Sequence, residues 1–278
     1  MEKDFTDINS YNKNMAKPMD DKLFFLEKLD WDDNIIVDFG CADGRVLAEI
    51  KNRLESMYLG KRNRFFYIGY DISPVMIGYA KTNWDGDGRQ VLFTSNWNDV
   101  IKAIEYHNEM KPVLFLSSVI HEVYSYAKNE EEITEFWGRV LNTGFKYVVV
   151  RDMMVDKSVN RLNGYDIPYQ LKNTFTLDCY RYEPYLKEFE ARWGKITKNK
   201  NAVHFLLKYP WTINWERENN ENYLPLYTND LVRIMIQRYD IEYFKHYILQ
   251  FVYDRVLHDW GLHLKDNTHV KAIFKFRE

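Results

Sequence analysis

Cysteine is nearly absent from this chain: Cys41 and Cys179 are the only two among 278 residues. Two thiols cannot build a disulfide framework, and they fall short of a cysteine zinc site. No apolar run approaches the roughly 18 residues of a membrane-spanning helix, so no membrane partner is expected. The opening residues, MEKDFTDINSYNKNMAKPMDD, lack the apolar stretch of a secretory signal. With so few cysteines, this predicts a cytoplasmic, reducing setting. A large excess of either charge is lacking as well. The net charge of −3 argues against a whole protein shaped around nucleic acid, though a local basic patch stays open. There is no internal repeat and no low-complexity linker.

What is there is a chain that is 46% hydrophobic, enough for a sizeable core in one large domain or two small ones. It is also 17% aromatic, with 21 Tyr, 17 Phe and 8 Trp. An AT-rich coding bias favours Tyr and Phe but does not account for the tryptophans.

Short β-type runs alternate with helical patterns. Asn34–Phe39 (NIIVDF) is an apolar, β-branched run; Val46, Leu47, Ile50, Leu54 and Met57 follow at helical spacing up to Gly60. Phe65–Tyr70 is a second strand, after which Ser73 and Pro74 form a helix start. Val91–Thr94, Val113–Ser117 and Phe145–Arg151 continue the series, with a helix over Glu130–Leu141 before the fifth strand. Strands alternating with helices predict parallel βαβ units, and the continuous apolar runs fit strands buried on both faces. The rhythm then breaks over 152–227, where one helix is predicted at Leu177–Trp193. A helix over Asn229–Arg238 and strands at Asp240–Leu249 and Val270–Phe276 complete the chain.

The segment Asp38-Phe39-Gly40-Cys41-Ala42-Asp43-Gly44 joins a strand to a helix. Glycines there let the backbone approach a ligand, and the helix start offers free N–H donors. A dinucleotide fingerprint would need glycine at 42 and 45, where Ala42 and Arg45 stand, and no Gly-Lys-Ser/Thr is present. The pattern Asp-x-Gly-x-x-x-Gly, with the acid of Gly69-Tyr70-Asp71-Ile72-Ser73 ending the second strand, resembles the class I S-adenosylmethionine-dependent methyltransferases. The resemblance covers roughly Lys22–Arg151 and Asn229–Phe276, and Ala42 replaces a glycine usual in that family.

The resemblance implies an α/β fold: a seven-stranded, mostly parallel sheet with an antiparallel last strand and helices on both faces. It places a methyltransferase core in 1–151 and 228–278, and a largely helical insertion, a substrate-recognition lid, in 152–227. The implied cofactor is S-adenosylmethionine. Gly40, Cys41 and Gly44 would line its methionine part, Asp38 would sit near its amino group, and Asp71 would hold the ribose hydroxyls. Ile72 would cover the adenine; Asn96 or Asn98 would accept from its amino group, and Trp97 would stack on it. Tyr11, Met15, Lys17 and Lys22 precede the first strand, in a segment that closes over the cofactor in many relatives.

The region Ser117-Ser118-Val119-Ile120-His121-Glu122 would face the methyl group. It lacks the Asn/Asp-Pro-Pro-Tyr signature of the enzymes that methylate base or glutamine amino groups. His121 is either a general base or a residue that shapes the pocket. His121-Glu122 does not extend to a zincin motif, since Ser125 stands where the second histidine would be, so no metal is expected. Asp152 ends the fifth strand, where open α/β sheets carry their sites, either orienting a substrate or serving as a loop acid. His204 is a second candidate base.

The methyl acceptor stays open between RNA and a small molecule. From Lys157 to Lys208 there are ten basic residues against five acidic ones, interleaved with Tyr165, Tyr169, Tyr180, Tyr182 and Tyr185. Trp193, Trp211 and Trp215 lie in and just beyond the same stretch. Basic and aromatic residues together suit stacked bases and a phosphate backbone, whereas the net negative charge suits a small molecule. A non-catalytic binding or scaffold protein of the same fold is the alternative; an intact Asp38, Gly40, Gly44 and Asp71 set argues against it.

Overall fold

The computed structural model describes residues 19–59, 64–86, 88–167 and 181–277. Tyr11, Met15, Lys17, Tyr169, Lys172, Cys179, Tyr180 and the first residues of the helix expected at Leu177–Trp193 lie outside them.

The strands are β1 (Asn34–Phe39), β2 (Phe65–Tyr70), β3 (Val91–Thr94), β4 (Lys111–Ser117), β5 (Tyr147–Met153), β6 (Tyr239–Tyr247) and β7 (His269–Phe276). They form one sheet in the order β3-β2-β1-β4-β5-β7-β6. β1 to β5 pair in parallel, and β7 runs antiparallel to both β5 and β6. Every residue of β1 is buried, as a central strand covered on both faces requires.

The helices, in chain order, are α1 (Met19–Lys22), α2 (Arg45–Met57), α3 (Pro74–Asn83), α4 (Trp97–Tyr106), α5 (Ile120–Tyr126) and α6 (Glu130–Asn142). They continue with α7 (Glu183–Trp193), α8 (Asn199–Lys208), α9 (Trp215–Asn220), α10 (Thr228–Met235) and α11 (Gln250–Trp260). Local chemistry sets several starts. Ser73 caps α3 by accepting from the Met76 N–H ahead of Pro74, and Asn129 caps α6 by accepting from the Glu132 N–H.

One face of the sheet packs residues 23–31, α2 and α3 around Ile36, Tyr67, Val113, Phe115 and Ile273. The other packs α4, α6 and α10 around Ile35, Val37, Leu114, Leu116 and Val148. Alternate strand residues thus serve opposite faces.

A third hydrophobic cluster forms a separate helical layer, called the lid below. It is built on Leu186 and Phe189 of α7, Val203, Phe205 and Leu206 of α8, and Trp215 of α9. It also takes Val252, Val256 and Trp260 of α11, with Leu262 and Leu264 beyond. These last five lie between β6 and β7, outside the segment 152–227. Val252, Val256 and Trp260 recur every four residues, and Gly261 stops the helix in the left-handed region at φ 62°. Asp266 fastens the same junction, accepting from both Arg161 terminal nitrogens at 2.8 Å, from the Tyr165 hydroxyl at 2.9 Å and from Asn199 at 3.0 Å.

Trp260 is fully buried, stacked on Tyr182 at 5.7 Å with Phe205 and Tyr209 at its edges. Trp260→Ala should cost about 3–5 kcal/mol in urea unfolding, the range for deleting a buried large aromatic. A loss under about 1 kcal/mol would mean that α11 is not part of the lid's core.

Candidate active site

The site begins at a backbone turn. Ser118 sits in the left-handed region at φ 54°, and its N–H donates to the Arg151 carbonyl at 2.8 Å. This swings the chain off β4 into α5 and brings His121 beside the end of β5. Asp152 is fully buried there. Its Oδ2 accepts from the Ile120 N–H at 2.7 Å; its Oδ1 accepts from its neighbour Met153 N–H and from His121 Nδ1, each at 2.7 Å. With Nδ1 engaged, Nε2 is the free ring nitrogen, 3.9 Å from a Glu221 carboxylate oxygen. Burial alone would lower the His121 pKa, but Asp152, with Glu221 and Glu122 behind it, outweighs burial and holds it above the ordinary value. Protonated His121 is therefore favoured in the fold. Its contribution to stability is complete below about pH 6.5 and fades as pH rises through the elevated value.

His121 lines a cavity of about 640 Å³ between the strand ends and the lid. Glu122, Arg217 and Glu221 continue the polar wall: Arg217 lies 3.0 Å from Glu122 and 2.8 Å from Glu221, and the Tyr126 hydroxyl donates to Glu221 at 2.7 Å. Glu218 is buried, and burial together with repulsion from Glu221 pushes its pKa up to about 8; the Tyr223 hydroxyl donates to it. Lys208 donates to the Glu218 and Glu221 carbonyls, and its own burial brings its pKa down to about 7. Trp211, Ile213, Leu249 and Phe251 provide an apolar wall. Among the described residues, potential metal-ligand atoms converge at His121, Glu122 and Glu221, all within 4.8 Å. Arg217 and Tyr126 already engage those carboxylates.

The residues expected to hold a cofactor do not line this cavity; Gly40 adjoins it through Val119, the neighbour of Ser118 in its wall. Asp38 is buried, its pKa pushed up to about 7 by burial against the pull of Lys22, and its Oδ2 has no hydrogen-bond partner. Lys22 is buried too and lines the cavity, its pKa brought down to about 8 by burial and by Arg151. Lys22 thus couples the two regions electrostatically.

Gly40 stands at φ 80°, and a Cβ there would meet Val119 Cγ2 at 2.7 Å. Gly44, at φ 78°, opens α2. Between them Ala42 takes φ 47°, and its N–H donates to Asp71 Oδ2 at 3.0 Å. Asp71 Oδ1 accepts from the Ser73 N–H at 2.9 Å. Each carboxylate oxygen keeps a further lone pair for another donor. The Cys41 side chain packs into the core, while its N–H donates to the Tyr70 carbonyl. Ile72 is exposed at 66%. Ser117 Oγ is buried without a partner.

Three residues have local roles of their own. Asn96 caps α4, its side-chain oxygen accepting from the Asn98 N–H. Trp97 packs on Phe39 at 5.5 Å and Tyr70 at 5.2 Å, with Arg139 over its ring, which makes it a flank of the sheet's core. His204 lies inside the lid against Trp193 and Phe189, and its Nε2 accepts from the Tyr223 N–H at 3.2 Å. Burial and the neighbouring Lys208 hold it well below the ordinary imidazole pKa. It does not line the cavity.

The sequence reading missed the set formed by Glu122, Arg217, Glu218 and Glu221. Glu122 on α5 lies 95 residues from Arg217 on α9, so no local spacing joins it to Arg217, Glu218 and Glu221, which stand within five residues of one another.

No family profile matches the chain, and no curated protein matches it in sequence. Several solved structures are similar in shape. A SAM-dependent methyltransferase from Anabaena variabilis is 10% identical over 98% of this chain and 96% of its own, with a TM-score of 0.47. A putative S-adenosylmethionine-dependent methyltransferase from Listeria monocytogenes is 11% identical over 92% and 98%, with a TM-score of 0.45. Magnesium protoporphyrin IX methyltransferase from Synechocystis, with bound SAH, is 12% identical over 97% and 90%, with a TM-score of 0.46. By its own strand order and its antiparallel β7, the chain has the seven-stranded Rossmann-like fold that its motifs resemble.

Proposed function

We propose that this protein is an S-adenosylmethionine-dependent methyltransferase that acts on a small molecule, with His121 as general base. The observation that carries the reading is the His121–Asp152 pair on a cavity wall that Val119 links to the Gly40–Gly44 turn, which is itself bonded to Asp71.

The residues present fit the cofactor. The unpartnered Asp38 oxygen suits an amino group, and the remaining lone pairs of Asp71 suit two ribose hydroxyls. Gly40 and Gly44 supply the left-handed backbone of the turn, and exposed Ile72 offers an apolar cover for adenine. When bound, S-adenosylmethionine supplies an electrophilic methyl group. The chain's own part is to position the acceptor, exclude water and take a proton. Asp152 is a positioning residue: it fixes the imidazole so that Nε2 faces the acceptor, and it stabilises the imidazolium formed when the acceptor's proton arrives.

Support for a small acceptor comes from the fate of the basic and aromatic residues that suggested RNA. Lys208 is fully buried, Arg161 is held by Asp266, Lys195 by Glu190 and Lys187 by Glu183. Tyr165 and Tyr182 are buried, and the Trp193 and Trp215 ring N–H groups donate within the lid. Part of that composition is thus spent on the lid's own packing and ion pairs.

Calorimetry should detect S-adenosylmethionine binding to the full chain, with Asp71→Ala weakening it at least about tenfold, as expected when charge-assisted hydrogen bonds are lost. Absence of binding, or affinity indifferent to this change, would sink the methyltransferase reading.

With an acceptor found by screening hydroxyl and amine compounds for S-adenosylhomocysteine release, kcat/KM should rise with pH through a midpoint above the ordinary imidazole value, since a base must be deprotonated. His121→Asn should lower kcat by about 10²–10⁴. Asp152→Asn should move the midpoint downward in both the rate profile and the NMR titration of His121. An unmoved midpoint would show that Asp152 does not tune the base.

A further inference from the structure

The outer strands carry an arrangement that methyl transfer alone does not require. Arg151 of β5 is the register partner of Lys271 on β7, and Lys271 is the partner of Lys245 on β6. Three cationic side chains therefore stand side by side across adjacent strands on one face of the sheet. Like charges directly opposite each other destabilise a sheet. All three line the cavity, with Lys22 nearby in the same wall.

Asp21 of α1 answers this row. Its Oδ2 accepts from Arg151 Nε at 2.8 Å and from the Tyr247 hydroxyl at 2.7 Å, and its Oδ1 lies 2.7 Å from Lys271 Nζ. The other acid of this corner, Asp20, is exposed and turned to Arg53 at 2.7 Å. His269, the next residue along this face of β7, is held neutral by burial and by Arg151, so it adds no charge of either sign. Asp21 thus pairs with Arg151 and Lys271, while Lys22 is answered by Asp38, Glu122 and Asp152 and Lys245 stands exposed at the end of the row. Glu122 and Glu221, which also line the cavity, are engaged by Arg217. The remaining wall nearby is apolar: Trp211 and Phe251 lie with ring centres 5.8 Å apart, beside Ile248 and Leu249.

We infer that the row Lys245, Lys271 and Arg151 is an oxyanion subsite of the cavity, taking the carboxylate or phosphate of a ligand whose apolar body lies against Trp211 and Phe251. Asp21 occupies part of the same field in the ligand-free protein and sets how strongly an incoming anion is drawn. That the ligand is the methyl acceptor rests on the function proposed above; the subsite itself does not.

Calorimetry on the full chain with benzoate, phenyl phosphate and uncharged phenol tests it. Both oxyanions should bind more tightly than phenol, the better of the two naming the group as carboxylate or phosphate. Lys245→Gln, at an exposed position, should weaken oxyanion binding several-fold, and the Lys245→Gln/Lys271→Gln double variant about tenfold or more, with phenol unaffected. Asp21→Asn should tighten it. Phenol binding as well as the oxyanions, or oxyanion affinity unchanged in Lys245→Gln and Asp21→Asn, overturns the subsite. S-adenosylmethionine titrated into the same samples separates the two claims. Oxyanion binding without cofactor binding sinks the methyltransferase reading alone, and the converse sinks the subsite alone.

Discussion

The site depends on one buried carboxylate. Asp152 accepts from the backbone on both sides of the cleft, from Ile120 at the start of α5 and from Met153 on its own strand, and it still has a partner for His121. An unpaired carboxylate at full burial would be costly, so these donors are as much a condition of the fold as of the chemistry. They lock the β4–α5 turn to β5, and through it the direction of the imidazole. The left-handed Ser118 makes that closure geometrically possible.

Around this joint, charge is sorted rather than balanced locally. Acids gather under the lid with Arg217 among them, while cations line up on the outer strands with Asp21 among them. Lys22 stands between, buried, and coupled to Asp38 ahead of the Gly40–Gly44 turn. A ligand entering such a cavity meets a field with direction, which orients a molecule before close contacts form.

The sheet was legible because buried strands are written as unbroken apolar runs, and all seven appear near their expected places. The glycine turn and Asp71 were legible because a positive φ and a strand-end acid leave local marks. α11 also left its mark, Val252, Val256 and Trp260, but it lies between two strands that read as consecutive and was passed over. His121 and His204 could not be told apart by residue type: one ends beside Asp152, the other inside the lid, and only long-range packing decides. Trp97 and Asn96 share this ambiguity, since a capping asparagine and a core-flanking tryptophan look the same in one dimension as a base-binding pair. The aromatic excess divides likewise. Trp193, Trp215 and Trp260 build the lid, and Trp211 alone among the lid tryptophans reaches the cavity.

The lid's hydrophobic centre draws on two stretches of chain, one after β5 and one between β6 and β7, pinned together by Asp266. A flap anchored at a single hinge opens by swinging. A flap stitched at two points along the sheet edge has no such freedom, and any opening must shear the unit as a whole. The same stitching makes the lid a poor cassette. Transplanting residues 152–227 into a related scaffold would leave Tyr182, Phe205 and Tyr209 without Trp260 to pack on, so changes of specificity in this architecture have to travel through both stretches together.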